Sequence, residues 1–234
     1  MNGADQLHVV LGATGGAGGA LVSELAGRGH RVRAVSRKPG AADHHKGRIR
    51  ALMAERLLAA HRSGTLQVTI GRSSDYYGPG GANSVGGDIL FGAAAKGKRA
   101  RWMGRMDMSH SLNYLQDVAR SLIILGARPE ALGEIWHLPA AEPVTGRGFV
   151  ELIAAALGRP VKVTATSRLA LRLAGLFDPR ARETTEMLYQ WERPFVLDAS
   201  KFQRAVGPFE PTPHPQATAA TVAWFRERAG RTRR

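Results

Sequence analysis

Apolar positions recur along this chain in two rhythms, and their alternation gives the architecture. His8-Val9-Val10-Leu11 is a short apolar run, and Ala20, Leu21 and Leu25 follow it at helical spacing, so the first thirty residues read as a strand, a tight turn and a helix. The segment from Gly29 to Ser36 supplies a second strand at the distance a βαβ unit requires. Lys46 to His61 carries Ile49, Met53, Leu57 and Leu58 on one helical face, with Arg and Glu on the other. Leu66 to Ile70 reads as a buried strand, and Gly71 to Gly80, rich in Gly, Ser and Pro, as a loop at its carboxyl end. Further elements are expected around Val85 to Ala95 (helix), Ala100 to Met103 (strand), within His110 to Leu125 (a helix with Val118, Leu122 and Leu125 on one face), Ile135 to Leu138 (strand), Gly148 to Leu157 (helix) and Val161 to Ala165 (strand). Beyond Ser167 the pattern is mostly helical, closing with Gln216 to Arg228, where Trp224 and Phe225 are expected in the core. The fold class is therefore α/β, a Rossmann-like parallel sheet with a small, mostly helical C-terminal lobe, divided as residues 1–140 and 141–234.

The chain has 234 residues, 44% of them hydrophobic, enough for one sizeable core with a small appended lobe. No stretch of eighteen apolar residues occurs and no leader pattern opens the sequence, so a cytoplasmic location without a membrane partner is expected. With no cysteine, neither a disulfide framework nor thiolate chemistry enters the reading. The net charge of +14 raises nucleic acid as a partner, but the basic residues are spread along the chain. Only Arg226, Arg228, Arg231, Arg233 and Arg234 form a dense cluster, and no stacking aromatics are interleaved with it. A solvated tail is expected there, with a polyanion-binding arm as the weaker alternative. Spread positive charge also steers a phosphorylated ligand toward the surface.

The chemistry suggested by the first turn is more specific. Gly12, Gly15 and Gly18 stand where a strand bends into a helix. Lack of a side chain permits the sharp turn at Gly12, close approach of a pyrophosphate at Gly15 and close helix packing at Gly18. The free amides of the helix start face the phosphates. Gly12, Ala13, Thr14, Gly15, Gly16, Ala17 and Gly18 are thus the candidate dinucleotide-binding run; the bland alternative is a glycine turn packed for geometry alone. At the end of the second strand, an acidic residue would read the ribose hydroxyls of NAD; this chain has Ser36, Arg37 and Lys38. A hydroxyl and two cations suit a 2′-phosphate, which favours NADP(H) over NAD(H), unless these residues are simply a polar strand exit.

Other candidates carry less. Tyr77 lies on the expected loop at a strand's carboxyl end and is a candidate proton donor; alternatively its ring packs and its hydroxyl bonds within the protein. Arg72 and Asn83 are candidate contacts to a polar or phosphorylated substrate. Asp43, His44 and His45 are adjacent and point in different directions, so no metal site is expected. His110 reads as a packed or surface histidine, and Asp117 and Arg120 as helix-start and surface partners.

GATGGAGG at Gly12–Gly19, KGRIRA at Lys46–Ala51, RSSDYYGPG at Arg72–Gly80 and LNYLQDVAR at Leu112–Arg120 together resemble the extended or atypical short-chain dehydrogenase/reductase family, in its NAD-dependent epimerase/dehydratase-like branch. The resemblance implies a small-molecule substrate, sugar-like or otherwise polar, a dinucleotide cofactor and a homodimer as a candidate assembly. It also implies a Tyr-x-x-x-Lys pair in which the lysine binds the nicotinamide ribose and lowers the tyrosine pKa. Lys46 stands at the lysine position, but Ala42 stands four residues before it. Tyr76, Tyr77, Tyr114 and Tyr189 are followed at the fourth position by Gly80, Gly81, Val118 and Arg193, so no tyrosine completes the pair. Only Gly40 to His45 separate the second strand's exit from the lysine helix, too few for a crossover of about ten to twelve residues. The chain therefore looks like a family member with a large internal excision. Its expected function is an NAD(P)-binding, oxidoreductase or epimerase-like protein acting on a hydroxyl or carbonyl; the alternative is a non-catalytic dinucleotide-binding module or redox sensor.

Overall fold

The computed structural model describes residues 7–11, 16–29, 31–35, 46–84, 86–174, 176–177, 185 and 188–231. In chain order the elements are β1 (Leu7–Leu11), α1 (Gly16–Gly27), β2 (Arg31–Val35), α2 (Lys46–Arg62), β3 (Ile70–Arg72) and β4 (Asp75–Tyr77). A π-helical turn Gly87–Gly92 then runs into α3 (Ala93–Ala95), followed by β5 (Ala100–Met103), β6 (Ser109–His110), β7 (Leu112–Tyr114) and α4 (Leu115–Gly126). Among the described residues there follow a 3-10 turn (Pro129–Ala131), β8 (Ile135–His137), β9 (Val144–Thr145), α5 (Gly146–Leu157), β10 (Val163–Thr166), α6 (Arg168–Ala174) and the helices Tyr189–Glu192, Ser200–Val206 and His214–Arg231. Among the described residues four strand pairs are parallel, β1 with β2, β3 with β8, β4 with β7 and β5 with β10; β6 and β9 pair antiparallel. The α/β class expected from the alternation is the class observed.

The chain separates into two compact units whose segments interleave in sequence: Met1–Ser73, Gln116–Pro139 and Asp198–Phe209 in the first, Ser74–Leu115, Ala140–Leu197 and Glu210–Arg234 in the second. In the first, β1 and β2 run parallel in the register Leu7↔Arg31 to Leu11↔Val35, joined by α1. Its core gathers Val118 and Leu125 of α4 with Ala131, Trp136, Leu138, Phe202 and Phe209, and Leu122 packs against them, so the expected α4 face is the buried one. Gly71 sits in β3 because the space is taken: a Cβ there would lie 2.6 Å from Leu122 and 2.9 Å from Leu138.

This overturns the reading of Gly71–Gly80 as a continuous loop. Ile70–Arg72 and Asp75–Tyr77 are both strands, separated only by Ser73 and Ser74, and Leu66–Thr69 lie outside the strand that was expected to hold them. Gly, Ser and Pro signal turns locally, but pairing with β8 and β7 supplies backbone partners that local sequence does not reveal.

The second unit is built on aromatic rings. Tyr77 is 1% exposed. It meets Phe149 edge-on at 5.0 Å and lies 6.0 Å from a parallel Phe91, which itself stacks on Phe225 at 5.8 Å. Phe225 is buried as expected, and Trp224 packs against the core only in part. Thr145 caps α5 by accepting from the Gly148 amide at 3.1 Å, and Gly158 ends it at φ 69°.

A phenol hydroxyl buried among rings needs a partner. Tyr77 donates to Nδ1 of His214 at 2.8 Å, while the other ring nitrogen of His214 donates to the Glu142 carbonyl at 3.0 Å. Both bonds are satisfied by one neutral tautomer, with hydrogen on Nε2 and a lone pair on Nδ1. Burial pushes the His214 pKa below its ordinary value, against the opposing pull of the Glu142 carbonyl.

Two outcomes follow from this packing. In the unfolded chain His214 titrates near 6.5, whereas folded it resists protonation, so the stability it confers is present above that pH and is lost as pH falls toward the depressed folded value. Thermal melts of wild type should lose Tm as pH drops below about 6.5, and His214→Gln should flatten that slope; an unchanged slope would contradict the assignment. At Gly87 an added Cβ would lie 2.1 Å from the Ala82 carbonyl oxygen, whereas at Gly126 it would meet nothing. Urea unfolding should show Gly87→Ala destabilised by about 1–3 kcal/mol and Gly126→Ala neutral or slightly more stable.

Candidate functional site

One candidate site, in the first unit, is the β1–α1–β2 unit. Two parallel strands joined by a helix place the start of α1 after the carboxyl end of β1, where the first amides of a helix lack intrahelical partners. Gly16, Ala17 and Gly18 form the first turn of α1, which contains no acidic side chain to compete with a phosphate. A helix start with glycines and no acidic side chain is compatible with a phosphate. Gly12, Ala13, Thr14 and Gly15 lie outside the described residues, as do Ser36, Arg37 and Lys38, Ala42 and the Asp43–His45 junction. Lys46 is the first residue of α2, where the KGRIRA match placed the start of a helix.

A separate candidate site, in the second unit, is a polar seat around β4 and β7. Ser74 donates its amide to the Asn113 side-chain oxygen at 2.9 Å and its hydroxyl to the Ser111 carbonyl at 2.6 Å. The Ser111 hydroxyl accepts from the Leu197 amide at 3.0 Å. These bonds fix the strand that presents Asp75, whose carboxylate meets His110 Nε2 at 2.9 Å. His110 is buried, its ring stacked on Trp191 at 4.0 Å and on Phe195 at 5.2 Å. Asp75, Tyr76, Arg101, Trp102, Met103 and Phe149 line a narrow recess with room for little more than a water. One carboxylate held by a histidine, one arginine and aromatic walls can accept hydroxyl groups, pair with an anion and cover an apolar face.

The sequence-selected residues divide between these places. Arg72 ends β3 in the first unit with an exposed side chain, and Asn83 is exposed on a turn of the second. Tyr77 lies in a strand rather than a loop, its hydroxyl engaged by His214. Asp117 stands in the first turn of α4 and pairs with Arg120 at 2.9 Å, as expected of a helix start, but its side chain is buried. His110 is packed, one of the two places expected of it, but its pairing with Asp75 is not legible in the sequence because thirty-five residues separate them and neither lies on a periodic pattern. Among the described residues no three His, Cys, Asp or Glu side chains gather as a metal site would require, and no helix is long and apolar enough to cross a membrane.

No family model and no curated protein matches the chain. Solved structures do. A nucleoside-diphosphate-sugar epimerase from Pseudomonas aeruginosa aligns over 96% of this chain and 99% of its own, at 16% identity and a TM-score of 0.66. A double mutant of DesIV, a dTDP-glucose 4,6-dehydratase from Streptomyces venezuelae solved with NAD and DAU bound, aligns over 96% and 98% at 16% identity and 0.66. MoeE5, solved with UDP-glucuronic acid and NAD, aligns over 95% and 99% at 16% identity and 0.70. The chain thus has the Rossmann-like α/β fold seen in these epimerase and dehydratase structures.

Proposed function

We propose that the protein binds a nicotinamide dinucleotide on its first β–α–β unit and is an epimerase/dehydratase-like oxidoreductase acting on a hydroxyl or carbonyl of a small polar or sugar-like substrate. One observation carries the reading: a parallel β1–β2 pair joined by a helix that opens on glycines, without an acidic residue in its first turn. The likeness to folds crystallised with NAD and sugar nucleotides supports it. Gly12 to Gly18 hold the pyrophosphate and Ser36, Arg37 and Lys38 take a 2′-phosphate, making NADP(H) the preferred coenzyme. Lys46 orients the nicotinamide ribose, and Arg72 and Asn83 meet the substrate. When bound, the coenzyme supplies or accepts hydride; the protein must furnish the proton.

The proton is where a second reading gains ground. No tyrosine stands four residues before Lys46, and Tyr77 is both buried and bonded to His214. Its part is packing, which leaves proton exchange to solvent and favours a dinucleotide-binding module of low or absent turnover. The two readings share the coenzyme and differ in activity.

Fluorescence titration should find NADPH bound more tightly than NADH. Arg37→Asp should weaken NADPH by about ten-fold or more, the equivalent of losing one charge-assisted bond. Tighter NADH, or no uptake of either coenzyme, would overturn the assignment. Incubation with UDP- and dTDP-sugars and a panel of carbonyl compounds, followed by nicotinamide absorbance and product analysis, then separates enzyme from module.

A further inference from the structure

The second unit carries a surface that the coenzyme reading leaves unused. Leu169, Leu173 and Leu176 recur at helical spacing from α6 into the turn after it, with Phe177 beside them, and they are 67%, 57%, 69% and 90% exposed. Leu169 and Leu173 share one side of α6 and Leu176 and Phe177 lie in the turn after it, while Leu171, on another side of the helix, is buried and anchors it. Soluble surfaces scatter single apolar residues; four large ones in one short segment mark a surface that meets something apolar.

Charge selects among outside partners. Arg168 and Arg172 flank the stripe on the same helix. Arg168 reaches Glu192 at 2.6 Å, and that carboxyl is held below its usual range by Arg168 first, with Arg193 and Arg172 adding to the pull. Three arginines thus gather around one carboxylate beside the apolar stripe. A second copy of a chain carrying +14 would be repelled, whereas an anionic lipid surface would be attracted.

We propose that the α6 stripe docks the protein on the surface of an anionic bilayer, Phe177 and the three leucines entering the headgroup boundary and the flanking arginines meeting lipid phosphates. The contact is interfacial and requires no spanning helix, so it revises only the expectation that the protein has no membrane partner. It stands independently of the coenzyme site.

Co-sedimentation with extruded vesicles tests it. The protein should be retained by phosphatidylcholine vesicles containing phosphatidylglycerol, released from them at high salt and not retained by phosphatidylcholine alone. Leu173→Ser with Phe177→Ser should weaken retention by at least about ten-fold, with far-UV circular dichroism and coenzyme binding unchanged because both side chains are exposed. Absence of retention by the anionic vesicles would overturn the proposal. So would retention that the double variant leaves intact, which would show attraction by net charge alone. A concentration-dependent dimer abolished by the double variant would overturn it in favour of a second copy.

Discussion

The hydrogen bond between Tyr77 and His214 is the constraint on which the second unit depends. Tyr77 occupies the centre of the aromatic cluster, and a hydroxyl brought there without an acceptor would cost about 1–3 kcal/mol. His214 removes that cost only in one tautomer, and the Glu142 carbonyl enforces the tautomer. A strand near the start of the unit is therefore tied to the first residue of the closing helix across 137 positions of sequence. The same bond has a chemical consequence. A tyrosine whose proton already points at a buried neutral imidazole is poorly placed to exchange it with a substrate, so the residue that looks most catalytic in RSSDYYGPG is the one most committed to packing.

The first unit faces a different constraint, the pairing of parallel strands. Among the described residues β1 pairs with β2 and β3 with β8, each as a two-stranded parallel ribbon. Parallel strands are stable where further strands and covering helices satisfy them, and short ribbons contribute little alone. What holds β3 and β8 is the side-chain core under them: Leu122 and Leu138 fill the space over Gly71, Trp136 donates to the Ala131 carbonyl, and the Lys201 ammonium lies over the Trp136 ring at 4.4 Å.

How much of this was legible depended on the range of the interaction. The β–α–β opening, the strand Ala100–Met103 and the buried face of α4 follow from local periodicity, and the structure has them where the pattern put them. Gly71 misled because its composition signals a turn, while its reason for being glycine is two leucines far away in sequence. His214 begins the last helix two residues before the expected start, in a position chosen by Tyr77 rather than by helical pattern. The pairing of Asp75 with His110 was invisible for the same reason: a carboxylate–imidazole pair has no period. Long-range polar contacts are what single-sequence reading cannot see, and one of them, Asp75 with His110, borders the candidate recess.

The charge of the molecule belongs to its partners more than to its stability. Lys and Arg number 33 against 19 Asp and Glu, so the acids are outnumbered however they pair. Several are already committed at the surface, as in Glu24 with Arg28, Asp107 with Arg105, Glu134 with Lys201 and Asp88 with Arg228. Exposed pairs of this kind contribute little to folding, each about 0–1 kcal/mol, and the surplus of positive charge opposes compaction by self-repulsion. A fold that tolerates such a surplus gains from it only where a negative ligand approaches. Phosphate is the common chemistry of the two ligands proposed for this chain, the coenzyme and the lipid headgroup. The long-range field draws in both alike, and discrimination between them falls to local structure: backbone amides at a glycine turn for one, an apolar stripe bordered by arginine for the other.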